Sequence, residues 1–142
     1  MFRPRHEVSA KAALYNQAGT HVVLMQYVGR RNGNVFYGLP GGHVEYRETP
    51  DEALERELLE EIGLAVPGMV RRDFFRAGDN VRIILAYTGT LPDDTVIAVP
   101  NPIEGEGKWF TKEELLALEK LGDDYRQFIL AYWPEETTII SV

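Results

Sequence analysis

The chain has 142 residues, a formal net charge of −7 and no cysteine, which excludes disulfides, thiolate metal sites and cysteine nucleophiles. Its 44% hydrophobic and 26% charged residues suit a globular protein, and we expect a single domain over residues 1–142. The acidic balance argues against nucleic-acid binding, and no stretch reaches the roughly 20 apolar residues that span a membrane. The N-terminus lacks the apolar run of a signal peptide, so a cytoplasmic location is expected.

The first part of the chain is predicted to form strands. Residues 8–15 and 21–28 are rich in apolar and β-branched side chains, and the turn sequence at 16–19 separates them. A short apolar segment at 35–37 follows a second turn and leads into the sequence GLPGG at 38–42. These features predict strands connected by turns at the start of the fold.

A central helix is predicted from its boundary residues. Thr49 can cap the helix, Pro50 suits the first helical position, and Glu52 completes a capping box. The helix should run to about Ile62, with Gly63 ending it in a left-handed conformation.

The remaining elements complete a mixed pattern. Strands are predicted near 69–75 and 81–91, followed by a proline-containing loop at 92–102 and a short strand at 108–110. A second helix should begin after Thr111, and a third should cover 123–132. Strands, one long helix and terminal helices together predict an α/β fold with a mixed sheet packed between helices.

The central helix carries a concentration of carboxylates. Leu54, Leu58 and Ile62 form a core stripe, whereas Glu57, Glu60 and Glu61 share a separate arc of about 100°. Like charges at helical spacing repel one another, so the arrangement is either a solvated acidic face or a site for divalent cations. Oxygen ligands favour Mg²⁺, with Mn²⁺ as a substitute.

The spacing around this helix decides between the two interpretations. Residues 42–64 resemble the Nudix box, G-x₅-E-x₇-R-E-U-x-E-E-x-G-U, at every specified position. Chance agreement at ordinary residue frequencies is on the order of one in a million for a chain of this length. The resemblance implies a Nudix-type α/β/α sandwich and a Mg²⁺-dependent pyrophosphohydrolase with a nucleotide-like substrate.

The resemblance also implies the roles of individual residues. Those implied to be catalytic are Arg56, Glu57, Glu60 and Glu61. Those implied to bind or support the metal are Glu57, Glu60, Glu61, Gly41 and Glu48, with Glu104 and Glu106 as candidates for a further ligand from a later loop. Phe36 and Tyr37 could stack on a base, and Arg72 and Arg82 could reach phosphates, although core packing and charge compensation are equally ordinary uses of such residues.

The substrate is left open by the sequence. Nudix subgroups for ADP-ribose and for dinucleoside polyphosphates are marked by Pro or Tyr about fifteen to eighteen residues past the box, and residues 78–82 (GDNVR) contain neither. A nucleoside diphosphate linked to another group, such as a nucleotide sugar, or a (d)NTP fits the remaining pattern, and so does a broad housecleaning hydrolase. The alternative is a non-catalytic nucleotide-binding sensor or scaffold. The resemblance further implies a homodimer.

Overall fold

A mixed β-sheet forms the centre of the protein in the computed structural model, which describes residues 6–29, 31–77 and 82–135 apart from the side chain of Glu104. Within these residues, seven strands belong to one sheet. The elements are β1 Glu7–Asn16, β2 His21–Val28, β3 Val35–Gly38, β4 Gly41–His43, α1 Pro50–Ile62, β5 Val70–Ala77, β6 Arg82–Leu91, β7 Glu106–Thr111, α2 Lys112–Ala117 and α3 Asp123–Ala131.

Strand β1 organises the sheet. Along one edge it pairs in parallel with β6 over its whole length, from Glu7↔Arg82 to Asn16↔Leu91. Its other edge is shared, because Tyr15 pairs with β2 while residues 9–11 pair with β4. Strand β2 then continues the sheet through antiparallel pairing with β3 and β7, and β5 pairs with β6. This divided edge brings the loop before α1 against β1.

Helices cover both faces of the sheet. Helix α1 buries Leu54, Leu58 and Ile62 in one core, which also contains Ala12 and Leu14 of β1. The neighbouring strand residues point the other way, since side chains alternate along a strand, and join the core beneath α2 and α3. No helix among the described residues is long and apolar enough to cross a membrane.

Most of the predicted elements are confirmed. Helix α1 begins with Thr49 as N-cap and Glu52 closing the capping box, and Gly63 ends it at φ 68°. The short strand β4 was not predicted, because consecutive glycines carry no strand signal. The later strands differ from prediction by a few residues at their ends, and a single 3₁₀ turn covers Pro102–Glu104. Residue 81, the predicted start of β6, lies outside the described residues.

Candidate active site

Two glycines bring β4 against its neighbours. At Gly41, φ is 134°, and a Cβ would lie 2.1 Å from the carbonyl oxygen of Ala10 on β1. At Gly42, a Cβ would lie 2.5 Å from Cδ of Glu57 on α1. At Gly41 the clashing atoms are backbone, so only glycine allows β4 to lie this close to β1, whereas at Gly42 a Cβ would displace the Glu57 carboxylate.

Arg56 connects α1 to the preceding loop. Its Nε donates to Oε2 of Glu48 at 2.8 Å and its Nη2 donates to Oε1 of the same carboxylate at 3.1 Å. Its Nη1 donates to Oε1 of Glu57 at 2.9 Å and lies 3.5 Å from both carboxylate oxygens of Glu60. Its Nη2 also donates to the carbonyl oxygen of His43 at 3.0 Å. One guanidinium therefore holds the loop, β4 and two helix glutamates together.

The charges in this network stabilise one another. The hydrogen bond from Arg56, together with a backbone hydrogen bond at Glu45, lowers the pKa of Glu48 below its ordinary value. The hydrogen bond to Glu48 in turn raises the pKa of Arg56, with a smaller contribution from Glu57. Both groups are therefore charged at neutral pH, as a bidentate ion pair requires.

Glu61 differs from the other helix glutamates because it is buried, with 7% of its surface exposed. Its Oε1 accepts a hydrogen bond of 2.6 Å from the Gly41 amide, and its Oε2 lies 3.5 Å from the hydroxyl of Tyr27. Burial raises its pKa to about 7, even though the Gly41 amide and Lys11 favour the charged form. The carboxylate is thus poised between its two protonation states near neutral pH.

These groups surround a cavity of about 270 Å³. Two larger cavities, of about 810 and 450 Å³, lie elsewhere on the surface and include none of the α1 glutamates. The lining of this 270 Å³ cavity combines carboxylates of α1 with cations of β1 and β6. Its lining residues are Ser9, Lys11, Gly41, Gly42, His43, Glu57, Glu60, Glu61 and Arg82.

A family model described as the NUDIX domain matches residues 5–132. The chain belongs to the Nudix family. By this membership it is a hydrolase that acts on phosphorus anhydrides.

Solved Nudix structures share the fold at low identity. The MutT protein from Methanosarcina mazei Go1 is 24% identical, with 92% of this chain and 95% of that chain covered and a TM-score of 0.70. The E. coli dihydroneopterin triphosphate pyrophosphohydrolase is 20% identical, with 91% and 97% covered and a TM-score of 0.69. The NUDIX domain of Shewanella oneidensis NrtR, complexed with ADP ribose, is 19% identical, with 91% and 86% covered and a TM-score of 0.73.

Nudix hydrolases use divalent metal ions, and the donor chemistry of the cavity fits such an ion. Glu57, Glu60 and Glu61 offer carboxylate oxygens, the ligands that hard cations prefer. Within the described ranges, no three acidic or histidine side chains already converge as a metal site. Glu57 and Glu60 lie toward Arg56, so ligation requires them to turn into the cavity, and the 49% exposure of the Glu60 side chain leaves room for this.

The structure brings some of the predicted residues to the 270 Å³ cavity beside the α1 glutamates, which is called the Nudix cavity below. Glu57, Glu60, Glu61, Gly41 and Arg82 line it. Arg56 and Glu48 lie behind it, where both oxygens of Glu48 are occupied by Arg56. Their predicted catalytic and metal-binding roles stay predictions.

Other predicted residues lie away from the Nudix cavity. Glu106 lines a different cavity and lies 3.8 Å from Lys108. The adjacent Gly107 faces Ile62 of α1, and side chains alternate along a strand, so Glu106 points away from α1. Tyr37 packs edge-on against Phe110 at 5.6 Å in the core beneath α2 and α3.

Two further candidates for substrate contact, Arg72 and Phe36, do not line the cavity beside α1. Arg72 donates to Thr88 at 3.0 Å and lies over the ring of Tyr132, on the α3 side of the sheet. Phe36 stacks on Tyr27 at 5.1 Å, and so reaches Glu61 only through that ring. The side chain of Glu104 and the subgroup-marker residues 78–81 lie outside the described part of the structure.

Lys11 and Tyr27 were not predicted from the sequence as part of the site. Lys11 is only 9% exposed, and burial lowers its pKa, although the nearby charge of Glu61 raises it. Burial, followed by the charge of Glu61, raises the pKa of Tyr27 and keeps its hydroxyl protonated as a donor. For Lys11 the sequence did contain a signal, because a lysine stands at an inward-facing position of the otherwise apolar strand β1.

Proposed function

We propose that this Nudix hydrolase cleaves a diphosphate linkage in a small nucleotide-like substrate, with Mg²⁺ as its metal and Mn²⁺ as a substitute. One observation carries the proposal: the three α1 glutamates line a single cavity together with Lys11 and Arg82. A diphosphate carries adjacent oxyanions that can bind a metal on one side and cations on the other. The cavity therefore offers complementary partners to both sides of such a group.

Each acidic residue has a part in this proposal. Glu57, Glu60 and Glu61 would hold the metal, which when bound supplies Lewis acidity and lowers the pKa of water. Glu57 is anchored through Oε1 by Arg56, while its Oε2 has no hydrogen bond to any described residue and is suited to orient a water molecule. Arg56 and Glu48 would hold this arrangement in place without contacting the substrate.

The proposed substrates are a nucleoside diphosphate linked to another group, such as a nucleotide sugar, or a (d)NTP. ADP ribose and dihydroneopterin triphosphate, named for two proteins of similar fold, are both phosphoanhydrides. Phe36 supports the nucleotide part of the proposal, because it is 48% exposed and stacks on the ring that contacts Glu61. An exposed aromatic face beside a phosphate site can stack on a base.

Phosphate release from a panel of nucleoside diphosphate sugars, ADP-ribose and (d)NTPs tests the proposal, with phosphatase coupling and with Mg²⁺ or EDTA. We expect Mg²⁺-dependent turnover concentrated in one class. Equal turnover across the panel would indicate a housecleaning hydrolase. Binding without turnover of any compound would contradict hydrolysis and favour the sensor function. The homodimer and the cytoplasmic location stay predictions, and light scattering at high concentration tests the former.

A further inference from the structure

A buried lysine, Lys11, lines the same cavity as the helix glutamates. We propose that Lys11 binds a nonbridging oxygen of the substrate's diphosphate and makes the site prefer two linked phosphoryl groups over one. The inference rests on the proposed function, since it assigns the second half of the same diphosphate site. It concerns a residue outside the Nudix box.

The position of Lys11 follows from the sheet. Strand β1 alternates its side chains between the two cores, and Lys11 shares its face with Ala13 and Tyr15, which are fully or almost fully buried. Two residues earlier, Ser9 lies on the same face and lines the same cavity. Lys11 therefore reaches the cavity from the sheet face that packs against α2 and α3, and it is the more buried of the cavity's two cations.

The ammonium group of Lys11 has hydrogen-bonding capacity to spare. Within the part of the chain that the structure describes, its one hydrogen bond joins Nζ to the carbonyl oxygen of Leu39 at 3.3 Å. Its Nζ also lies 6.0 Å from the centroid of the Tyr125 ring. Because an ammonium group has three N–H donors, a ligand entering the cavity can accept the others.

The charge balance points to an anionic ligand. Glu61 and Glu57 are the carboxylates whose charges act on Lys11, and both belong to the proposed metal-binding set. A cation bound by these carboxylates would take up their charge and leave Lys11 without compensation. A buried charge is stabilised by pairing, so a further anion beside Lys11 would favour its ammonium form in the loaded cavity. A phosphoryl oxygen next to the metal-bound phosphate would supply this anion.

Arg82 extends the cationic wall toward the opening. It is exposed at the start of β6, lines the same cavity, and forms a hydrogen bond with Tyr125. Its charge acts unfavourably on Lys11, so the two cations are close enough to repel each other. A ligand with two adjacent oxyanion groups relieves this repulsion better than a ligand with one.

The competing explanation is that Lys11 only holds residue Leu39 in place. Two substitutions separate the explanations. Lys11→Met keeps the length and apolar stem of the side chain and removes the charge, and Lys11→Gln removes the charge but keeps a donor for the Leu39 carbonyl. Lys11→Arg restores a cation. Lys120→Met is the matched control, because Lys120 is exposed and does not line the cavity.

The test measures binding of methylenediphosphonate, whose P–C–P bridge cannot be hydrolysed, against methylphosphonate by calorimetry in Mg²⁺. We expect Lys11→Met and Lys11→Gln to weaken diphosphonate binding roughly 10- to 100-fold, the range for a lost hydrogen bond to a charged group. Binding of the monophosphonate should change far less. Lys11→Arg should recover part of the affinity, and Lys120→Met should match the unsubstituted protein. Thermal melting of every variant shows whether it is folded.

The outcomes separate the two proposals. Unchanged diphosphonate binding in a folded Lys11→Met or Lys11→Gln variant would overturn the role of Lys11, even if the enzyme hydrolyses nucleotides. Lys11-dependent binding in a protein that hydrolyses nothing would support the role of Lys11 and reject the hydrolase proposal. If the enzyme is active, a Lys11→Met variant whose KM rises by a larger factor than its kcat falls would add support for substrate binding by Lys11. A purely structural residue would give no preference between one and two phosphoryl groups.

Discussion

The Arg56 guanidinium binds the Glu48 carboxylate through two parallel hydrogen bonds, from Nε to Oε2 at 2.8 Å and from Nη2 to Oε1 at 3.1 Å. Its remaining nitrogen donates to Glu57 at 2.9 Å. Arg56 therefore links the loop before α1 to Glu57, the first glutamate of the proposed metal site. The position of Glu57 depends on a residue that does not line the cavity.

Replacing Arg56 by lysine should weaken catalysis, because an ammonium group cannot make the paired hydrogen bonds to Glu48 while also holding Glu57. We expect kcat to fall about 10- to 100-fold, corresponding to one or two lost charge-assisted hydrogen bonds. Steady-state hydrolysis of the best panel substrate measures this. Arg76→Lys, at an exposed position on β5, is the control, and equal activity of the two variants would contradict the linking role of Arg56.

Gly42→Ala should displace Glu57, because the added Cβ would lie 2.5 Å from its carboxyl carbon. We expect at least a tenfold loss of kcat, since misplaced catalytic groups lose rate steeply. Gly38→Ala is the matched control, because its Cβ would make an ordinary contact at 3.5 Å with the Tyr27 ring. Thermal melting and kinetics of both variants should show the activity loss in Gly42→Ala alone.

Glu57→Gln and Glu60→Gln should each lower kcat by at least about 100-fold, the usual loss when charge stabilisation at a reacting centre is removed. Glu55→Gln is a control on the same helix, because Glu55 is exposed and outside the cavity. Titration with Mn²⁺, followed by electron paramagnetic resonance, should show weaker metal binding in the first two variants. Retention of activity and of metal affinity in both would refute the proposed metal site.

Glu61 should make the metal-free protein less stable as the pH rises. Its pKa is about 7 in the folded protein, against an ordinary value of 4.5, so between these values the folded state holds a proton that the unfolded state has lost. Stability is therefore lost across this window, by up to roughly 3 kcal/mol for a shift of this size.

Glu61→Gln tests this dependence, because glutamine cannot ionise and can still accept from the Gly41 amide. Urea unfolding in EDTA from pH 4 to 8.5 gives the free energy of unfolding of both proteins. The advantage of the variant over the unsubstituted protein should grow from pH 4.5 to 7 and then level off. A constant difference across the range would show that Glu61 does not titrate as described.

The local parts of the site could be predicted from the sequence. Thr49, Glu52 and Gly63 set the helix limits through contacts with near neighbours, so their meaning is independent of the rest of the fold. The box spacing likewise places Glu57, Glu60 and Glu61 on one helix. Features fixed by residues that are close in the sequence are the ones that sequence patterns specify well.

The remaining parts depend on contacts between distant segments. Lys11 and Tyr27 reach Glu61 only because β1, β2 and α1 pack together, and no spacing rule connects them. Glu106 shows the same limit in another form. The sequence suggested an acidic loop, but the strand phase, fixed by pairing with β2, turns its side chain away from α1.

The divided edge of β1 separates the cavity into two parts of different origin. The acidic wall comes from one continuous segment, β4 through α1, whereas Ser9, Lys11 and Arg82 come from two paired strands that carry no box residue. From the proposed roles of these residues, we expect changes in short stretches of β1 and β6 to alter ligand choice while the box segment is retained intact. A library confined to positions 9, 11 and 82 would sample new leaving groups without touching a single member of the box.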